Sequence, residues 1–383
     1  MGDFNKLGLK KEILETLEIA GFTSSFDVQD IIVPLALRGK NIVFTSRTGS
    51  GKTLAYLLGH LSKINTKLAA QMIVLVPTRE LAVQVGKELK KICDILDINV
   101  GVFFGGRDTA HDYKTFNKKN HIIVGTPGRV ILHINDKAIK VGDVRYVVFD
   151  ESDQMFDNGF YDDCAYLKTR ISKDAQVILS SATITDKVRN FIEKKVVDYE
   201  LLQIGDLIPK SIVQEKVYCE QLEKNSLLVS FFSKRPFKRA LVFCNTKQKS
   251  THIAAFLDEH KLKAAPLNGN MEQKERLKNL NLFKEGKLKI IVCTDVAARG
   301  LHIEHVDIVI NYDAPTREEF YVHRIGRTGR VNNEGYALTL ICPEDVERFK
   351  NLEFLYDLSV KELDKGKFLE EKKKVNKTTI KDS

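Results

Sequence analysis

No stretch of the sequence approaches the roughly 18 consecutive apolar residues that would span a bilayer. The N-terminal "MGDFNKLGLKK" has no apolar signal core behind its charges. Both absences predict an intracellular protein, of the cytoplasm or of the nucleus and nucleolus, with no membrane partner. Paired cysteines are missing too. Cys93, Cys164, Cys219, Cys244, Cys293 and Cys342 are widely spaced, without a C-x-x-C pair or a histidine at metal-ligand spacing. That argues against a structural zinc and predicts free thiols. No short-period repeat is visible, so a solenoid is not expected.

What is present is an ordinary globular composition, 43% hydrophobic and 29% charged over 383 residues, enough for two cores. Lysine and arginine outnumber aspartate and glutamate 60 to 51, a net charge of +9. Such a balance favours a polyanionic partner, although a merely soluble basic surface would look the same.

Apolar, β-branched runs recur at helical spacing: "NIVFTS", "MIVLV", "HIIVG", "YVVF" and "QVILS", then "ALVFC", "KIIVC" and "VDIVI". Continuous apolar strands separated by helices predict an α/β fold with mostly parallel sheets covered on both faces. Gly205 and Pro209 interrupt the pattern between the two groups. The expected organisation is therefore a domain over 1–204, a linker over 205–212, a second domain over 213–364 and a lysine-rich tail over 365–383.

After "NIVFTS" comes "SRTGSGKT", residues 46–53, which opens an apolar helical stretch. Gly49 and Gly51 let the backbone curl around phosphates, Lys52 adds a charge for them, and Thr53 offers a hydroxyl to Mg²⁺. Ser46, Arg47, Thr48 and Ser50 complete this loop, with Ser46 standing where the motif has its first glycine. A nucleotide site also needs an acidic element. In "VVFDESDQMF", Asp150 ends an apolar strand and can hold Mg²⁺ largely through water, and Glu151 can orient or deprotonate the attacking water.

With the segments that follow, these motifs resemble the DEAD-box family of ATP-dependent RNA helicases in superfamily 2, over residues 4 to about 342. The resemblance implies two RecA-like domains, with ATP and Mg²⁺ as cofactors and RNA as partner, read through its backbone with little sequence preference. In "DESD" Ser152 replaces the family's alanine, a change expected to matter little. Asp153 would couple to "SAT", through Ser181 and Thr183. "PTRELA" with Pro77 and Arg79, "GG" with Gly105 and Gly106, and "TPGR" with Thr126, Pro127, Gly128 and Arg129 resemble RNA-contacting motifs.

In the second half, "QKER" and "TDVAARGL" imply RNA contacts from Arg276 and Thr294, with Asp295 and Gly300 at an interdomain cleft. "HRIGRTGR" implies arginine fingers at Arg327 and Arg330 and a coupling role for His323.

Two departures stand out. The family's adenine segment, G-F-x-x-P-T-P-I-Q, reads "GFTSSFDVQ" here. Phe22 can still stack on adenine and Gln29 can still read its edge, and Phe4 keeps the upstream aromatic. Both prolines are lost, to Ser25 and Asp27, and Phe26 replaces the hydroxyl that touches the phosphate loop. Weaker coupling to that loop is expected. His302 stands where the family has a ribose-binding aspartate, so relaxed ribose discrimination or a raised KM for ATP is expected.

The resulting expectation is a monomeric RNA-dependent ATPase that unwinds short duplexes or remodels ribonucleoproteins, ribosome assembly being the suggested pathway. A non-catalytic RNA clamp and a DNA helicase are the rival readings.

Overall fold

The computed structural model describes residues 2–46, 49–116, 118–206, 208–298, 303, 306–329 and 334–366. The chain divides into two compact units, residues 1–207 and 208–383. Each contains one seven-stranded sheet in which all the paired strands run parallel.

In the first unit the strands are β1 (Asn41–Thr45), β2 (Met72–Leu75), β3 (Val100–Phe103), β4 (Ile122–Gly125), β5 (Tyr146–Phe149), β6 (Gln176–Ser181) and β7 (Tyr199–Gln203). Their spatial order is β3-β4-β2-β5-β6-β1-β7. The second unit has β8 (Ile212–Tyr218), β9 (Ala240–Phe243), β10 (Ala264–Leu267), β11 (Ile290–Cys293), β12 (Ile308–Asn311), β13 (Gly335–Ile341) and β14 (Lys361–Glu362), in the order β10-β11-β9-β12-β13-β8-β14.

The apolar runs are continuous because each strand feeds two cores. Ile42, Phe44, Met72 and Val74 enter one cluster, while Val43, Ile73 and Leu75 enter another on the opposite face. Residues 240–243 split in the same way, Ala240 and Val242 to one side and Leu241 and Phe243 to the other. Burying one such side chain contributes roughly 1.5 to 3 kcal/mol, against about 1 kcal/mol net for a ladder hydrogen bond. Burial therefore dictates which segments become central strands.

Eight runs were legible as strands; six further strands form, and four of these, β3, β7, β10 and β14, are sheet edges. Edge strands need less apolar cover. β7 carries Glu200 and Gln203, β10 contains Pro266, and β14 is a Lys-Glu pair. β8, "IVQEKVY", lies next to that short edge, and β13 is interrupted by Thr339. Thr339 is tolerated in the core because its hydroxyl accepts from Asn311 Nδ2 at 3.0 Å.

All six cysteines are buried and free. No helix among the described residues is long and apolar enough to cross a membrane.

In an open parallel sheet, the loops that follow the strands gather at the carboxyl edge. The order of the first sheet sets the segments after β3, β4 and β2 beside one another, and those after β5, β6 and β1 beside one another.

Candidate functional site

The half of the edge built on β5, β6 and β1 holds the phosphate loop and the acids. Thr45 pairs with Ser181 in register, and Ser46 N–H continues the contact to the Ser181 carbonyl at 3.2 Å. Ser46 is fully buried, and its hydroxyl lies 3.2 Å from that of Ser50, closing the loop where the motif would have a glycine. Gly51, at φ 90°, caps the helix Lys52–Leu61 in a left-handed conformation that favours glycine. Lys52 is 7% exposed at the start of that helix, where unpaired N–H groups favour anions.

Asp150 is buried and oriented by neutral donors. Its Oδ1 accepts from the Ser180 hydroxyl and from Glu151 N–H at 3.0 Å, and its Oδ2 from Tyr56 Oη at 3.4 Å. Burial and the Asp150 charge push the Tyr56 phenol well above its usual range. One carboxylate and one hydroxyl make a sparse set of hard oxygen donors. No group of three or more His, Cys, Asp or Glu side chains that could hold a metal occurs among the described residues. That chemistry fits Mg²⁺, which retains several waters and takes further ligands from phosphates.

Glu151 sits at φ 51°, a left-handed position where the strand turns into the helix Ser152–Asp157. A non-glycine residue there costs of order 1 to 3 kcal/mol and is typical of working sites. Asp153 Oδ2 accepts from both the backbone N–H of Thr183, at 3.0 Å, and its hydroxyl, at 3.1 Å. Ser181 Oγ accepts from Asp153 N–H and donates to the Thr183 carbonyl. Ser152 is not idle: fully buried, it donates to the Ser180 carbonyl at 3.1 Å, a bond alanine could not make.

The adenine segment, for which weaker coupling is expected, does touch the phosphate loop. Gln29 Oε1 accepts from Phe26 N–H at 3.0 Å, and its Nε2 donates to the Gly51 carbonyl at 3.1 Å. A Cβ on Gly51 would lie 2.9 Å from the Phe26 ring and 2.5 Å from Gln29 Nε2, so segment and loop are in contact. Ser25, where the family has a proline, is tied on two sides. Ser25 exchanges backbone hydrogen bonds with Gly2 at 2.8 and 3.2 Å, and its hydroxyl bonds to Asp30. Phe22, Phe26, Gln29, Gly51, Thr53 and Leu54 face a hollow of about 250 Å³ that extends to Glu88 and Ile92. Phe4 is buried in the cluster against which Phe22 packs.

The other half of the edge, after β2, β3 and β4, collects the motifs read as RNA-contacting. Thr78 caps the helix Arg79–Cys93, and Arg79 is exposed. Gly106, at φ 78°, lies under Arg79: a Cβ there would run into the guanidinium. Thr126 N–H bonds to the Phe103 carbonyl at 3.1 Å, and Pro127 is the first residue of the helix Pro127–Asn135. Pro77 is buried and Gly128 exposed. Arg129 departs from expectation. It is 9% exposed, and its guanidinium donates to Asp112 at 3.2 Å and to the Arg107 carbonyl at 2.5 Å. Its charge is engaged inside the protein.

In the second unit, Arg276 donates to the Ala297 carbonyl at 3.0 Å, beside the turn opened by Thr294. Its buried Nε has no hydrogen-bond partner among the described residues. Asp295 is held bidentately by Arg324 at 2.6 and 2.7 Å. Arg324 also reaches Asn311, the Asp313 carbonyl and Asn245. Arg327 is buried directly after the helix Glu318–Ile325, and His323 is half-buried on it. Arg47, Thr48, Gly300, His302 and Arg330 lie outside the described residues.

Tyr56, Ser180, Asp112 and Arg324 were not singled out from the sequence. Only Arg324 carried a signal, as the unassigned arginine of "HRIGRTGR"; the others act through partners distant in sequence.

Two family profiles match the chain, "DEAD/DEAH box helicase" over residues 26–191 and "Helicase conserved C-terminal domain" over residues 223–332. The DEAD-box ATP-dependent RNA helicase CshA of Geobacillus kaustophilus is 36% identical over 356 residues, covering 92% of this chain and 76% of that protein. Its namesake from Bacillus subtilis is 34% identical over 353 residues, covering 91% and 72%. Among solved structures, Saccharomyces cerevisiae Dbp5 bound to RNA and ADP BeF3 superposes with a TM-score of 0.84 at 28% identity, covering all of both chains. A DEAD box protein from Methanococcus jannaschii gives 0.57 at 33% identity, covering 95% and 99%.

Proposed function

The chain belongs to the DEAD/DEAH box helicase family, and on that premise we propose that it is an RNA-stimulated ATPase that unwinds short RNA duplexes or remodels ribonucleoproteins. One observation carries the reading. On a single sheet edge, a phosphate loop braced against fixed carboxylates adjoins a cluster of glycines and helix N-termini with an exposed arginine.

In this reading Gln29 and Phe22 take adenine, and Ser46 to Thr53 with Lys52 take the phosphates. Thr53 and Asp150 would hold Mg²⁺, which would supply positive charge to the phosphates. Tyr56 and Ser180 fix Asp150 through neutral hydrogen bonds, leaving its charge for the cation. Glu151 orients the attacking water and takes its proton. Asp153, through Thr183 and Ser181, passes the state of the site to the strand end of β6. Arg327 and Arg330 stabilise transition-state charge, a role worth on the order of 10³ to 10⁵ in rate. Gly300 and His302 are assigned to nucleotide binding, and Asp295 and His323 belong to the coupling set.

RNA is gripped by Pro77, Arg79, Gly106, Thr126, Pro127 and Gly128 in the first unit and by Arg276 and Thr294 in the second. Backbone amides and arginine donors read phosphate and ribose, so sequence preference is slight. Dbp5 bound to RNA and ADP BeF3 supports both ligands. The bacterial CshA relatives lend no support to a nuclear or nucleolar location, and the matched proteins none to a task in ribosome assembly.

The test is phosphate release with RNA and with DNA of the same sequence. The expected result is strong stimulation by RNA alone. Equal stimulation by DNA overturns the RNA assignment, and ATP binding without turnover under any condition identifies a non-catalytic clamp.

A further inference from the structure

Asp112 lies on the short helix Ala110–Phe116, outside every motif named above, and is fully buried. Its Oδ1 accepts from Arg107 Nε at 3.2 Å and Nη2 at 2.7 Å, and its Oδ2 from Arg129 Nη1 at 3.2 Å. His133 Nε2 sits 2.7 Å from the same Oδ2, and its Nδ1 is buried without a partner among the described residues. Each arginine then reaches a backbone carbonyl: Arg107 that of Val102 at 3.1 Å, Arg129 that of Arg107. The Arg107 guanidinium also stacks 4.1 Å from the centre of the Phe104 ring. One carboxylate thus ties the end of β3 and the segment after Gly105-Gly106 to the helix that begins at Pro127.

We propose that Asp112 is the positioning residue of the RNA grip. It holds the Gly105-Gly106 turn against the helix start at Thr126 and Pro127, with Arg107 and Arg129 as its braces. This rests on the reading that these segments contact RNA. Gly106 must stay where Arg79 crosses it, and the backbone groups of 126–128 must face the same chain of phosphates. One buried guanidinium, that of Arg129, and one partly exposed, that of Arg107, share a single buried carboxylate, so the arrangement is fragile to loss of that charge, because removing it leaves the Arg129 ion buried and uncompensated. Asp112 touches no ligand in this scheme.

The test has a sign that separates positioning from plain electrostatics. Asp112→Asn removes a negative charge beside a polyanion site, so long-range electrostatics alone predicts tighter RNA binding. Positioning predicts the reverse. With a fluorescein-labelled oligouridine and a non-hydrolysable ATP analogue, Asp112→Asn raises the RNA Kd roughly tenfold or more, since small misplacements of a binding constellation are costly. The RNA concentration for half-maximal ATPase rises with it, while the KM for ATP at saturating RNA stays the same. Unchanged or tighter RNA binding by the folded variant overturns the proposal.

Arg129→Met provides a second reading should Asp112→Asn not fold. A brace weakens binding without changing its salt dependence, whereas a lost phosphate contact lowers the slope of log Kd against log salt by about one. A lowered slope or unchanged affinity overturns the proposal. If the wild-type chain itself fails to bind the oligouridine, the underlying RNA reading falls instead.

Discussion

The two halves of the first sheet's carboxyl edge hold their charges in opposite ways. Around β5, β6 and β1, carboxylates are fixed by neutral donors: Ser180 and Tyr56 on Asp150, Thr183 on Asp153. Around β3, β4 and β2, guanidiniums are fixed by a carboxylate, with Asp112 between Arg107 and Arg129. Neutral donors orient an acid without cancelling its charge, so it remains available to a cation. An ion pair orients an arginine by using its charge, whereas Arg79 on the same half of the edge is exposed. A charged residue in a motif is therefore not automatically a ligand.

The sharpest way to break this division is Glu151→Gln. It should lower RNA-stimulated phosphate release by roughly 10² to 10⁴, the usual worth of a general base. RNA binding with a non-hydrolysable ATP analogue should persist; a parallel loss of RNA affinity would mean that the two halves do not act separately. Gly106→Ala tests the other half. A methyl group there would strain the left-handed φ and displace the Arg79 guanidinium. The RNA needed for half-maximal ATPase should rise about tenfold, equivalent to about 1.4 kcal/mol, with the KM for ATP unmoved.

Gln29→Ala removes the link from the adenine segment to the Gly51 carbonyl. Titrating ATP at fixed RNA should show the KM up roughly fivefold, the size of a lost hydrogen bond of about 1 kcal/mol. An unchanged KM would show that Phe26 packing alone carries the contact. The smallest effect is expected at Ser152→Ala. Urea unfolding should register a loss of about 1 kcal/mol, with turnover intact.

Much of the site was legible because it is local in sequence. Strand, loop and helix around Lys52 are consecutive, and "DESD" follows its own strand directly. The burial of Arg129 was not legible, for the opposite reason. Its partner Asp112 sits 17 residues away along the chain and in no motif. Phe26 and Ser25 read only as losses against the family pattern, because the contacts they make to Gly51, Gly2 and Asp30 are not written in that pattern. Edge strands such as β7 escaped because their exposed faces relax the apolar pattern on which strand reading depends.

By itself the sequence determined the α/β class, the central strands other than β8 and β13, the phosphate loop and the acidic motif, since each is written in consecutive residues whose burial or backbone geometry constrains their type. Only the tertiary structure decided which charges are free. That depends on which strands lie side by side, and strand order is set by packing between segments far apart in the chain. It puts Ser180 on Asp150 and Asp112 on Arg129, making one charge available and engaging the other.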